Sequence, residues 1–476
     1  MRNAFLLSIA FLFLNFLASG QTVDFHSWAS TPPMGWRSRS PGMKVYGLPW
    51  ASTPPMGWNS WDCYGPTVTE NEVKANADYM AAHLKKFGWE YIVIDIRWYV
   101  DNDKSHGYNE KDPVFVMDEY GRFLPSTARF PSAANEAGFK PMADYLHSKG
   151  LKFGIHIMRG VPKEAVKRNT PIFATSFKAA DIYNTDLLCK WLKDMYTVDC
   201  TKPGAQEYYN SLFDLYASWG LDFVKIDDLT RPYHRGEIEL IRKAIDRTGR
   251  KIVLSTSPGE TPMADAGHIQ SNANMWRIVD DLWDNWKQVK EEFEVCDRWS
   301  VHSGDGHFPD GDMLPLGHIG LRAERGNDRM SSLTKDEQLT VMTLFAIVRS
   351  PLMFGGNLPD NDEFTLKLLT NRDVLYVNQH SSGNRQLFSH DGKIAWTATD
   401  PKTGDTFLAL FNASDPVSST AALGEKIAVD LGQLGWNEVY SIRDLWSGKM
   451  LGKFSKAFSP LIRAHACGLY RITRKN

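Results

Sequence analysis

From residue 56 onward the chain alternates short apolar runs with helix-like segments, and this alternation narrows the choice of fold more than any other feature. The runs are Met56–Trp61, Tyr91–Ile96, Lys152–Ile157, Asp222–Asp227, Ile252–Ser257, Met275–Val279, a weaker segment ending at Asp312, and Pro351–Phe354. Between them lie helical patterns such as Asn71–Lys86, Ala205–Trp219 and Gly236–Thr248. Strands separated by helices are set up to pair in parallel. Eight such units over roughly 320 residues predict an α/β fold whose strands close into a (β/α)8, or TIM, barrel. The alternative is an open doubly wound sheet. That fold usually carries a Gly-rich phosphate loop after its first strand, and none is visible here.

After about residue 380 the helical period disappears. Ile394–Thr399, Thr406–Asn412, Lys426–Leu431, Glu438–Arg443 and Gly468–Thr473 are short strand-like runs separated by Gly, Asp, Asn and Pro turns. They predict a C-terminal antiparallel β-sandwich. The expected division is a signal peptide over 1–20, a leader over 21–48, the barrel over 49–378 and the sandwich over 379–476. A chain of 476 residues exceeds what one ordinary core supports.

The N-terminus reads as a targeting segment: Arg2, an apolar run from Ala4 to Leu17, then Ala18-Ser19-Gly20 as small residues for cleavage. A secreted or periplasmic protein is expected, with no membrane span. Trp50 to Trp58 repeats Trp28 to Trp36 residue for residue. This is a local duplication, too short for a solenoid. The second copy, which runs on into Asn59-Ser60-Trp61, is taken as the structural one. An oxidising compartment permits disulfides among Cys63, Cys189, Cys200, Cys296 and Cys467; Cys189 and Cys200 are the preferred pair. A net charge of −2 leaves no electrostatic footprint for nucleic acid or an anionic membrane. The 16 Trp suit stacking on sugar faces, and suit a large aromatic core equally well.

Active-site residues of a TIM barrel sit at the C-terminal ends of its strands. Here those ends carry Trp61, Asp95, His156, Lys225, Asp227, Ser257, Arg277, Asp280, Asp281 and Asp312. One carboxylate ending a strand is readily a helix cap. Carboxylates ending several strands of one barrel point instead to a carboxylate-lined pocket. Glycoside hydrolysis needs two carboxyl groups flanking the scissile bond. A metal site from His302, Asp305, His307 and Asp310 is the competing reading, but their spacing matches no ligand motif. A carbohydrate-binding protein without catalysis is a third.

The motifs resemble glycoside hydrolase family 27, which contains α-galactosidases and α-N-acetylgalactosaminidases. The resemblance rests on Pro54-Pro55-Met56-Gly57-Trp58-Asn59-Ser60-Trp61, Lys225-Ile226-Asp227-Asp228, the stretch Trp276 to Trp286, and Asp310-Gly311-Asp312-Met313-Leu314, in that order. It runs from about Thr53 to the C-terminus and implies a barrel followed by a sandwich. It also implies Asp227 as nucleophile, two residues after Lys225, and Asp281 as general acid/base, four residues after Arg277 and five before Trp286. A nucleophilic carboxylate must be ionised, and a neighbouring ammonium favours that form. Asp228 then reads as a cap or a supporting acceptor. By the same resemblance Trp61 forms an apolar wall for the sugar, Asp95 accepts from ring hydroxyls, Lys225 and Arg277 donate to hydroxyls near the reacting carbon, and Asp312 lines the pocket. His156 stands where the family often has Tyr. Both catalytic carboxylates are present, which argues against a purely binding protein. The reaction calls for no cofactor and no metal, and its partner is an oligo- or polysaccharide.

One departure bears on the sugar. α-Galactosidases of this family usually end the second strand with two Asp residues that grip the hydroxyls at C4 and C6. Here the stretch is Ile94-Asp95-Ile96-Arg97-Trp98. A site built to hydrogen-bond a hydroxyl rejects analogues lacking it; Ile96 reverses that preference. β-L-Arabinopyranose is α-galactose without its C6 group, and family members that cleave it change at this position. The expected activity is therefore a retaining β-L-arabinopyranosidase, with α-galactosidase as the alternative and α-N-acetylgalactosaminidase left open by the small residues of Ser255-Thr256-Ser257-Pro258-Gly259. The opposing reading is that Ile96 merely packs while Arg97 or another residue supplies the lost contact.

Overall fold

A computed structural model describes residues 53–304, 306–415, 424–432, 434 and 438–474. The expected signal peptide and leader, and the first copy of the duplication, lie outside the described residues. Within the second copy, Met56-Gly57-Trp58 enters the first strand of the barrel.

The barrel strands are β1 (Met56–Asn59), β2 (Tyr91–Ile94), β3 (Lys152–Met158), β4 (Phe223–Asp227), β5 (Val253–Thr256), β6 (Met275–Arg277), β7 (Phe308–Asp310), β8 (Met313–Leu314) and β9 (Leu352–Phe354). They form one parallel sheet in the order β7-β6-β5-β4-β3-β2-β1-β9-β8. Only Gly311 and Asp312 separate its two outermost strands in sequence. The sheet therefore closes covalently, and β7 and β8 are two halves of one stave. The result is the expected eight-staved TIM barrel, its seventh stave interrupted where Asp312 adopts a positive φ of 83°.

The strands carry β-branched and aromatic residues because both their faces are covered. All four residues of β2, Tyr91-Ile92-Val93-Ile94, are buried. Gly57 marks the closest approach of β1 to β2, since a Cβ there would lie 2.5 Å from the Tyr91 carbonyl oxygen. Outside the sheet, the helix Ala205–Trp219 ends at Gly220 in the left-handed region (φ 93°), a common helix stop. The helix Arg235–Arg247 buries Ile238, Ile241, Ala244 and Ile245 at the spacing of one face.

The helix Lys335–Val348 starts with a capping box of Thr334 and Glu337. It is buried almost all round, because it lies between the barrel and the second domain. That domain is a six-stranded antiparallel sheet in the order Ser382–His390, Lys393–Thr399, Thr406–Asn412, Cys467–Arg474, Tyr440–Asp444 and Met450–Phe454. Two short strand pairs accompany it, Glu425–Lys426 with Leu461–Ile462 and Val429–Asp430 with Ala457–Phe458. Leu408, Leu410, Ile442, Phe458 and Ile472 are among its core. Phe293 meets Phe411 at 5.0 Å between ring centroids, and Trp286 stacks on His465 at 4.0 Å, joining the two domains.

The expected Cys189–Cys200 disulfide is not formed; all five cysteines are free. The two thiols serve separate neighbourhoods. Cys189 Sγ accepts from the Leu192 N–H at 3.4 Å, whereas Cys200 packs against Gly236. Among the described residues no helix is long and apolar enough to cross a membrane.

Candidate active site

A cavity of about 240 Å³ opens at the C-terminal ends of the barrel strands. Of the residues expected from the sequence, Trp61, Asp95, Ile96, His156, Lys225, Asp227, Asp280 and Asp281 line it together. They come from the ends of β1, β2, β3 and β4 and from the segment after β6.

Asp95 organises the floor. It is 1% exposed and accepts from Asn59 Nδ2 at 2.7 Å, Lys225 Nζ at 3.2 Å and its neighbour's Ile96 N–H at 2.8 Å, with His156 Nδ1 at 2.6 Å. Burial alone would raise this carboxyl. The opposing charges of His156 and Lys225, with hydrogen bonds from His156 and Asn59, hold it well below the usual carboxylate range. The same contact works on the other partner: burial disfavours the Lys225 ammonium, but Asp95 and Asp312 raise it above its ordinary value.

Asp227 ends β4 and reaches into the cavity with its side chain 17% exposed. Its Oδ1 accepts from the Asp228 N–H at 2.8 Å and from Ser257 Oγ at 3.1 Å. His156 Nε2 lies 3.8 Å from Oδ2. Asp228 turns away from the cavity into a buried pair with Arg159, Nη2 to Oδ2 at 2.8 Å.

Three acids after β6 compete for one role, and their surroundings separate them. Asp280 also borders the cavity, but its side chain is 64% exposed and pairs with the half-exposed Arg231 at the rim. Asp284 is buried against Arg329 and the Ser332 N–H. Asp281 reaches the cavity with a buried partner behind it, since Arg277, 2% exposed, donates from Nη2 to its Oδ1 at 3.1 Å. Arg325 Nη2 stands 3.9 Å from the other oxygen.

Arg277 and Asp312 are not among the residues lining the cavity. They lie behind Asp281, 2% and 3% exposed. Arg277 Nη1 meets Asp312 Oδ1 at 2.6 Å, and Asp312 Oδ2 accepts from the Leu282 N–H at 2.8 Å. Thus Asp312, expected to line the pocket, anchors the Asp281 segment from behind it. Burial pushes its carboxyl up to about 7, with Arg277 opposing.

Ile96 is 2% exposed and borders the cavity beside Asp95. Arg97 does not replace the missing acid. Its Nε and Nη2 form a fork with Asp194 at 2.8 and 2.6 Å, and Nη1 donates to the Asn109 carbonyl at 3.2 Å. The guanidinium is committed to Asp194 and Asn109 and does not line the cavity.

The lining also includes Tyr108, Trp191, Arg231, Pro258, Met313, Glu324 and Arg325, which the strand-end rule does not reach because most sit on loops. Tyr108 meets Trp61 at 5.8 Å between ring centroids. Trp61 was legible at the end of the Met56–Trp61 run; its Tyr108 partner, on a long loop, carried no periodic signal. Among the described residues no group of three or more His, Cys, Asp and Glu is arranged to hold a metal ion. His302 and His307 both turn to Gln270, Asp310 accepts from the Asp312 N–H, and Asp305 lies outside the described residues.

A TIM barrel with paired carboxylates at its C-terminal mouth and an antiparallel sheet domain behind it has the architecture of a glycosidase. Comparison with known proteins narrows this. The family model of alpha galactosidase A matches residues 53–201 and 178–380, and that of the alpha galactosidase C-terminal beta sandwich domain matches 391–472. The chain belongs to this family, glycoside hydrolase family 27. It is similar to the crystal structure of a family 27 β-L-arabinopyranosidase from Geobacillus stearothermophilus, at 52% identity and a TM-score of 0.86, covering 89% of this chain and 97% of that one. A variant of that enzyme in complex with arabinose gives 51% identity and a TM-score of 0.86, over 90% and 98% of the two chains. Alpha-galactosidase 2 of Arabidopsis thaliana is 28% identical over 88% of each chain.

Proposed function

We propose that this glycosidase is an exo-acting β-L-arabinopyranosidase that releases terminal β-L-arabinopyranosyl residues from plant-type glycans. The observation that carries the proposal is the apolar side chain of Ile96 beside Asp95, with Arg97 withdrawn to Asp194. A C6 hydroxymethyl group there would meet hydrocarbon. Leaving a hydroxyl buried without a partner costs about 1–3 kcal/mol, roughly ten- to a hundredfold in rate when expressed in the transition state. A pyranose lacking C6 avoids the cost.

In the proposed reaction Asp227 attacks the anomeric carbon while Asp281 protonates the departing glycosidic oxygen. The electron pair of the breaking bond goes to that oxygen, and a glycosyl ester forms on Asp227. Water, deprotonated by Asp281, then displaces the ester and restores the starting anomeric configuration. Asp95 and Lys225 hold ring hydroxyls, His156 spans Asp95 and Asp227, and Trp61 covers an apolar sugar face. Arg277 and Asp312 fix Asp281. We also propose that the chain is exported, on the strength of Arg2 and the Ala4–Leu17 run; N-terminal sequencing of the protein recovered outside the cytoplasm would show removal of that segment.

The deciding assay compares kcat/KM on p-nitrophenyl β-L-arabinopyranoside and p-nitrophenyl α-D-galactopyranoside. A clear preference for the arabinoside is expected. A preference for the galactoside would overturn the reading of Ile96 and leave α-galactosidase as the activity.

A further inference from the structure

We infer that Arg159 is the positioning residue of the nucleophile: it clamps the Asp227–Asp228 turn so that Asp227 Oδ1 is held and Oδ2 is left to attack. The inference rests on the reading of Asp227 as nucleophile and goes beyond it.

Arg159 follows β3 directly and is 2% exposed. It grips the end of the neighbouring stave at three points. Its backbone N–H donates to the Asp227 carbonyl at 3.1 Å, its Nε to the Asp228 carbonyl at 2.6 Å, and its Nη2 to the Asp228 carboxylate at 2.8 Å. The guanidinium is fixed in turn by Nη1 to Glu237 Oε1 at 2.8 Å, and Glu237 also accepts from the Tyr209 hydroxyl. Glu237 is itself 2% exposed, so the anchor is rigid and dry.

The clamp has a conformational result. Asp228 sits at φ 63°, in the left-handed region that a non-glycine residue rarely adopts without support. In that conformation its N–H points at Asp227 Oδ1, 2.8 Å away. Ser257 Oγ donates to the same atom at 3.1 Å. Among the described residues Oδ2 has no donor closer than His156 Nε2 at 3.8 Å. The two carboxylate oxygens are therefore unequal. Oδ2 forms the bond to the anomeric carbon as the leaving oxygen takes its electron pair, and the same Oδ2–carbon bond breaks when water attacks. Orientation at this level matters because a misplacement of about 1 Å costs on the order of a hundredfold in rate.

The test uses the full-length enzyme with Arg159→Met, Arg159→Lys, Asp228→Ala and Asp228→Gly. Turnover of p-nitrophenyl β-L-arabinopyranoside is measured per active site, with sites counted by a cyclophellitol-type epoxide of β-L-arabinopyranose configuration whose adduct is located by peptide mapping. Arg159→Met should lower kcat and the inactivation rate constant together, ten- to hundredfold, with KM within threefold. Arg159→Lys, which keeps the charge but not the fork, should regain part of kcat. Asp228→Gly should lose less than Asp228→Ala, because glycine takes the positive φ freely; this pair reads the turn even if Arg159→Met does not fold. If kcat per site in Arg159→Met or Arg159→Lys is within twofold of wild type, or if Asp228→Ala equals Asp228→Gly, the clamp is overturned while an adduct on Asp227 upholds the nucleophile. An adduct on another residue overturns both.

Discussion

Replacing Ile96 by Asp puts the sugar specificity to a quantitative test. The side chain is 2% exposed and borders the cavity next to Asp95. A carboxylate introduced there would accept from a C6 hydroxyl, a charge-assisted hydrogen bond that contributes about 1.5–3 kcal/mol. Against this stands the Asp95 carboxylate. Two like charges about 6 Å apart at an effective dielectric constant near 20 repel by roughly 3 kcal/mol, and the Lys225 ammonium, 3.2 Å from Asp95, cancels much of that. The net gain for the galactoside is then about 1–1.5 kcal/mol, or roughly tenfold in kcat/KM. The arabinoside, which offers no hydroxyl at this point, should fall by a similar factor as a desolvated charge is left without a partner. The ratio of kcat/KM for p-nitrophenyl α-D-galactopyranoside over p-nitrophenyl β-L-arabinopyranoside should therefore rise about a hundredfold. Ile96→Ala separates space from polarity: it opens room without an acceptor and should shift the ratio far less. An unchanged ratio in Ile96→Asp, or an equal shift in Ile96→Ala, would refute the argument from the missing acceptor.

Three further outcomes follow from the same geometry. Asp281→Asn should slow substrates with poor leaving groups by about 10²–10⁴ and activated aryl glycosides much less in the first step, with azide restoring breakdown of the glycosyl ester; equal losses for both leaving groups would remove Asp281 from the acid role. Burial pushes the His234 imidazole down to about 3, the charge of Arg159 adding to the effect. The unfolded imidazole binds a proton below about 6.5 and the folded one does not, so stability should fall as pH drops from there towards 3; urea midpoints of His234→Gln should decline less between pH 7 and 4 than those of wild type. A Cβ on Gly355 would stand 2.0 Å from Asp62 Oδ2 and 2.8 Å from Asp62 Cβ. Gly355→Ala should therefore cost about 1–3 kcal/mol in urea unfolding, and an unchanged midpoint would show that Asp62 yields freely.

The staves were legible because buried parallel strands are nearly continuous apolar runs. The exception is the seventh, which reads as a weak segment since Gly311 and Asp312 break it in two. In the second domain Ser382–His390 and Met450–Phe454 escape a hydrophobicity reading for the opposite reason: both are edge strands with largely half-buried or exposed side chains. The carboxylates at strand ends were visible from position alone. Residue type could not choose among Asp280, Asp281 and Asp284; the spacing from Arg277 singles out Asp281 only through the family resemblance, and the partners that occupy the other two, Arg231 and Arg329, are distant from them in the chain. Tyr108, Trp191, Glu324 and Arg325 close the cavity from loops that have no period to read.

The crowding of donors around Asp95 also bears on how such an enzyme changes over generations. Side chains from β1, β3 and β4 converge on that one carboxylate, so its replacement would loosen several staves together. The neighbouring position 96 contributes only its backbone N–H to the cluster. A lineage can therefore retune its sugar at position 96 while the frame that carries the chemistry stays fixed. Selectivity and catalysis occupy adjacent residues but are separately inheritable traits.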